Sequence, residues 1–147
     1  MRLIIYAAAL SILVLSPQEI SAEDSKSGPN ELKGSWKLKS MHRNGDKLED
    51  KPLVVTFDDC KFETRSNGKS VESGTIEIDI RTKARNYDVT ITGDFKEKGN
   101  TYHGIYKIAG DTLQTCVNIN PGKDRPREFV TTPGSGHQLI IWERVKP

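Results

Sequence analysis

Cysteine, histidine and aromatic residues are scarce in this chain, and each shortage removes a class of function. Among 147 residues there are two cysteines and three histidines, and aromatics make up 7%. His42, His103 and His137 are scattered, and no pair has ligand-like spacing, so no metal site and no cofactor is expected. Positive and negative side chains are interspersed at a net charge of +2, with no basic run longer than two residues. Nucleic acid recognition requires a concentrated basic patch, so nucleic acid is not an expected partner. The lysines of "KGSWKLKSMHR" alternate with core candidates and read as the solvated face of a strand. An amphipathic basic helix suited to a membrane surface is also missing.

Long apolar runs are confined to the N terminus. Arg2 supplies a positive start, Leu3 to Leu15 is apolar, and Ile20-Ser21-Ala22 precedes the acidic "EDSKSGPN". This is the layout of a secretory signal peptide over residues 1–22. The apolar run falls short of the roughly 20 residues that span a bilayer. No later segment is apolar enough, so no transmembrane segment is expected in the mature chain. Cleavage after Ala22 leaves 125 residues, enough for one domain, periplasmic or secreted. No cysteine follows the apolar run to take a lipid. Residues 23–31, polar with Gly28 and Pro29, read as a flexible leader, and residues 32–147 as the folded domain.

In an oxidising compartment two thiols often pair, which makes Cys60 and Cys116 a possible disulfide. Cys116 lies in a strand pattern where a small buried hydrophobe would serve equally well, so both readings stand.

What is abundant is alternation. "SWKLKS" sets Trp36 and Leu38 against Lys37 and Lys39, and "PLVVTF" follows the polar loop "NGDKLEDK", which has room for one helical turn. "KFETRS" runs into Asn67-Gly68, the strongest short hairpin signal. In "SVESGTIEIDI" the apolar phase changes between Val71 and Ile76, and Gly74 at that change suggests a β-bulge. Ile76, Ile78 and Ile80 then oppose an outward Glu77 and Asp79. "YDVTITG", "TYHGIYKI" and "TLQTCVNI" continue the rhythm, with Asp111 a cap for the turn at Gly110. "REFVTT" reads as a short strand, and "HQLIIWERV" closes the chain. Eight or nine strands joined by short turns suit an antiparallel up-and-down meander. Closing it into a barrel would remove two long edges from wrong pairing, and a two-sheet sandwich is the other arrangement.

"PGSGHQL", Pro133 to Leu139, has the residues of a reactive loop but not their setting. A nucleophile elbow lies between a strand and a helix, whereas here a strand follows. A phosphate cradle needs a helix N-terminus, and a serine–histidine pair needs an orienting carboxylate. Pro133, with Gly134 and Gly136 free to take positive φ, makes a turn instead. Arg125, Arg127 and Glu128 in "RPREF" are placed at a barrel mouth, where they would be solvated or would meet an anion or a partner.

Gly34-Ser35-Trp36 at the first strand resembles the Gly-x-Trp signature of lipocalins. That resemblance implies a tryptophan sealing the closed end of a barrel, with Arg144 of the last strand across its ring. A wider resemblance runs from Leu32 to Val145. It rests on Gly34-Ser35-Trp36, Thr56-Phe57, Lys61-Phe62, Gly74-Thr75, Gly104-Ile105-Tyr106, Gly110-Asp111-Thr112-Leu113, Cys116, Arg125-Pro126-Arg127-Glu128-Phe129 and Pro133-Gly134-Ser135-Gly136-His137. In this order they resemble an uncharacterised family of small exported domains, abundant in planctomycete bacteria and described as lipocalin-like. The resemblance implies an all-β, lipocalin-like antiparallel barrel of eight to nine strands and no particular activity. Cys60 departs from the polar turn residue usual there, and the middle lipocalin motif and C-terminal helix are absent.

The expected function is an exported, non-enzymatic binding module for a small apolar molecule or a protein partner. Trp36, Leu38, Ile78, Val89, Tyr102, Tyr106 and Trp142 are the candidate walls or plugs of its cavity, and Gly34, Trp36, Gly74, Gly134, Gly136 and Arg144 its structural residues. Interior volume decides between ligand and partner. The alternatives are a small extracytoplasmic hydrolase using His103 or His137 with a carboxylate, and a purely structural envelope domain.

Overall fold

The computed structural model describes residues 30–81 and 84–147. The signal peptide and residues 23–29 of the leader lie outside them. Alternation becomes nine antiparallel strands: β1 Gly34–Arg43, β2 Asp46–Lys47, β3 Leu53–Asp58, β4 Lys61–Ser66, β5 Lys69–Asp79, β6 Arg85–Ile91, β7 Thr101–Ala109, β8 Thr112–Asn118 and β9 His137–Arg144. From β3 to β9 neighbours in sequence are neighbours in the sheet, and β1 pairs with both β3 and β9. Eight strands therefore close on themselves, with β2 a short addition to the end of β1. No helix occurs among the described residues, and none there is long and apolar enough to cross a membrane.

Strand phase decides what fills the barrel, because successive side chains point to opposite faces. Trp36, Val55, Phe57, Ile76, Tyr87, Ile91, Tyr106, Leu113 and Trp142 are buried in one cluster. Opposite phases put Lys37, Thr56, Glu77 and Lys107 outside, and each is partly or fully exposed. One register shift near the end of β1 skips Lys39 in its pairing with β9, which keeps Met41 packed against the core.

The end holding the start of β1 is sealed. Trp36 is fully buried, its indole N–H donates to the Leu32 carbonyl at 2.9 Å, and the Arg144 guanidinium lies 4.1 Å from its ring centroid. Arg144 also donates to the carbonyls of Glu31 and Lys33, at 3.0 and 3.3 Å. Leu32 is almost wholly buried beneath this clamp. Glu31 accepts a hydrogen bond from the Tyr106 hydroxyl at 2.9 Å and is paired with Arg85. Residues 30 and 31, the last of the expected leader, are thus tied into the fold. Each gains fixed polar partners that offset the entropy of ordering.

Three local expectations change. The bulge on β5 falls at Val71, where the pairing jumps from Thr64–Glu72 to Arg65–Ser70, and not at Gly74. Gly74 answers a different need: a Cβ there would stand 1.9 Å from the Thr90 carbonyl oxygen, so only glycine lets β5 and β6 approach. "NGDKLEDK" holds no helical turn. Asn44 and Gly45, both at positive φ, make a tight hairpin turn from β1 to β2, as Asn67 and Gly68 do from β4 to β5. Finally, "REFVTT" is not a strand, because β8 and β9 pair with each other and the closed barrel leaves no edge for it.

Replacing Arg144 by methionine removes the ring contact and both carbonyl bonds while keeping side-chain volume. We expect a loss of about 1–3 kcal/mol in urea unfolding with an unchanged slope. An unaltered midpoint would show that the clamp contributes nothing.

Candidate functional site

Large side chains crowd the sealed end, and smaller ones line the other. Toward the far end the inward positions become Thr64, Val89, Thr115 and Val117, which cannot meet across an eight-stranded interior. A cavity of about 370 Å3 remains, at the lower end of the range for small-molecule sites. Phe57, Phe62, Tyr87, Tyr102, Trp142 and Ile140 supply apolar and aromatic wall, and Ile119 lies near the opening. Phe57 and Tyr106 each meet Tyr87 edge to face, with centroids 6.4 and 6.0 Å apart. That fixes the aromatic floor. The Trp142 indole N–H reaches Thr115 Oγ1 at 3.4 Å, and Asn100 Nδ2 donates to the Tyr102 hydroxyl at 3.3 Å.

Polar side chains collect at the opening. Arg43 and Gln138, paired across β1 and β9, join there, and the guanidinium donates to Gln138 Oε1 from Nε at 2.9 Å and Nη2 at 2.5 Å. Glu72 enters from β5, and Glu97 from the segment between β6 and β7. Burial, and then the neighbouring charge of Glu97, raise the Glu72 pKa above the ordinary carboxylate value. Burial, with a smaller contribution from the Glu72 charge, holds the Tyr87 phenol far above its usual range, so it stays neutral.

Of the seven residues expected as walls or plugs, Val89, Tyr102 and Trp142 line the cavity. Trp36 and Tyr106 are wholly buried in the plug, and Leu38 and Ile78 pack against the core outside the cavity wall. Glu72, the most informative residue at the opening, escaped sequence analysis because the bulge was placed at Gly74. With the bulge at Val71, even-numbered residues from Glu72 to Ile78 share one face.

Gly134 and Gly136 take the positive φ expected of them. Gly34, Gly134 and Gly136 have φ of 114°, 72° and 71°. Ser135 Oγ accepts from the backbone N–H of Thr132 and His137, at 3.3 and 3.2 Å, so the serine is a turn former. That turn docks on the β1–β2 hairpin, where Gly136 N–H donates to Asn44 Oδ1 at 2.7 Å. Asp111 does not cap its turn; its carboxylate faces Lys146 at 3.2 Å and Arg144 at 3.8 Å. Asp79 does face outward, where hydrogen bonds from Arg81 lower its pKa to about 2.

Residues 124–130 lie along the outer wall and not at the mouth. Arg125 donates to Asp88 through Nη1 at 2.5 Å and Nη2 at 3.0 Å, and to the Gly104 carbonyl at 2.6 Å. Arg127 and Glu128 are exposed on the same segment. Beneath it, Ile105 and Cys116 are buried although they point away from the barrel axis. Cys60 sits in the turn between β3 and β4, Cys116 within β8, and the two form no disulfide. Burial pushes the Cys116 thiol up to about 11, which leaves it unreactive.

The outer wall also contains the one histidine–carboxylate contact formed among the described residues. His103 Nδ1 lies 3.1 Å from Asp88 Oδ1, but off the line of a hydrogen bond. Burial raises the Asp88 pKa, yet the two hydrogen bonds and the charge of Arg125, with His103 close by, outweigh it and hold it below the usual value. Arg125 therefore claims the carboxylate that would orient an imidazole base, and the pair reads as a structural latch. No group of His, Cys, Asp and Glu suited to a metal ion occurs among the described residues.

No family model matches the chain, and no curated protein does.

Glu72 gives a stability test with a definite sign. A carboxyl whose folded pKa exceeds its unfolded value gains protons on folding, so stability falls as pH rises between the two. Glu72→Gln should therefore raise the urea midpoint at pH 7 and lose that advantage at about pH 3, where the wild-type carboxyl is protonated in both states. A variant no more stable than wild type at pH 7 would show that Glu72 carries no such cost.

Proposed function

We propose that the protein is an exported, non-enzymatic binding module that takes a small, largely apolar molecule into its barrel. The observation that carries this reading is the cavity, about 370 Å3 behind a polar opening and above an aromatic floor. A packed interior would have left only surface recognition. Burial of apolar ligand area there, at about 25 cal/mol per Å2, supplies the attraction, and the polar opening sets orientation. The Trp36–Arg144 stack supports kinship with the lipocalin-like exported family that the motifs resemble. Export itself rests on the signal-peptide layout of residues 1–22.

Two experiments test the two halves of this reading. Indole, a small neutral aromatic, should bind in calorimetric titration, and Val89→Phe, which fills the cavity from β6, should abolish binding while leaving the unfolding free energy within about 1.5 kcal/mol of wild type. Binding that survives Val89→Phe would place the ligand elsewhere. N-terminal sequencing of protein recovered from its native source should begin at Glu23, and a chain retaining Met1 would contradict export by cleavage.

A further inference from the structure

Two carboxylates guard the opening of the cavity, and neither has a cationic partner among the described residues. Glu72 and Glu97 are close enough for the charge of one to disfavour ionisation of the other, and neither forms an ion pair among the described residues. Among the described residues Arg43 is the single cation in the cavity lining, and its guanidinium is turned to the neutral oxygen of Gln138. The other partly buried acids of the described residues are all paired: Glu31 with Arg85, Glu63 with Arg65, Asp79 with Arg81, Asp88 with Arg125 and Glu143 with Lys37. Glu72 is the exception, and the opening it enters leads to an aromatic wall that includes Tyr87, Tyr102 and Trp142.

From this arrangement we infer that the ligand of the barrel is a cationic amphiphile, an amine whose ammonium sits between Glu72 and Glu97 while its apolar or aromatic body fills the space behind them. The inference rests on the cavity being the ligand site. Its physical basis is charge compensation. A partly desolvated carboxylate beside a like charge gains most from a cation placed within hydrogen-bond reach, because low local polarity strengthens the attraction. The electron-rich faces of the wall aromatics add a second attraction to an ammonium group. A carboxylate ligand would meet repulsion from both acids and would have to displace Gln138 to reach Arg43.

The test uses three probes sharing one indole body: tryptamine, the corresponding alcohol tryptophol, and indole-3-propanoate. Calorimetric titration of the purified protein should rank tryptamine at least about ten-fold tighter than tryptophol, with the propanoate weakest. Glu72→Gln and Glu97→Gln should each reduce tryptamine affinity and leave tryptophol affinity unchanged. Urea unfolding of both variants shows that they remain folded. Equal affinity for amine and alcohol, or preference for the propanoate, would overturn the inference and leave the cavity reading intact. Loss of tryptophol binding in parallel with tryptamine, in variants that still fold, would overturn it as well. If no probe binds, both the inference and the cavity reading fail.

Discussion

The pairing of β1 with β9 is the constraint on which everything else depends. It turns a meander into a tube, and it places Trp36 opposite Arg144 in the register. Once that pair meets, the guanidinium can cover the indole and still reach two backbone carbonyls of the incoming chain. The segment from Glu31 to Lys33 is thereby held across one end of the barrel, and Leu32 is driven into it. A single cation thus satisfies carbonyls that burial would otherwise leave unpaired.

Sealing one end decides what the other can do. Trp36, Phe57, Tyr106 and Leu113 occupy the closed half with almost no exposure. The inward residues further along are short, and the cross-section of the barrel does not shrink to meet them, so space persists. Closure also explains the outer wall. With no edge to join, residues 124–130 lie against β6 to β8, held by Arg125 on Asp88, and bury Ile105 and Cys116 on what would otherwise be a solvated face. The protein consequently has two unlike polar regions. Around Asp88 the charges are matched and bound, which suits a fastener; at Glu72 and Glu97 they are unmatched, which suits a receptor.

Much of this was legible in the residue order, for a specific reason. Period-two alternation, the Asn67-Gly68 turn and short connections are local properties, and they sufficed for an all-β antiparallel barrel; the closure of Trp36 against Arg144 followed from the resemblance to the lipocalin Gly-x-Trp signature. Features set by distant partners were not legible. Whether Gly74 marks a bulge or a close approach depends on the Thr90 carbonyl of the neighbouring strand. The inward turn of Glu72 depends on where β4 skips a residue of β5. Cys116 looked equally like a disulfide partner and a small core residue. Only the draped segment, with the Val130 carbonyl 3.9 Å from its sulfur, explains its burial. Val89, Tyr102 and Trp142 were found by phase alone, whereas Trp36 and Tyr106 share that phase but lie at the sealed end, a distinction of height along the axis that alternation does not carry.

The central claim is that the tube is stoppered at the Trp36 end and hollow toward the Glu72 end. A crystal of the protein soaked in 5-bromoindole, with diffraction collected at the bromine edge, measures this directly. The account predicts one strong anomalous peak among Val89, Tyr102 and Trp142, with the Trp36–Arg144 stack undisturbed. An interior closed by side chains, or bromine bound only on the outer wall, would contradict it.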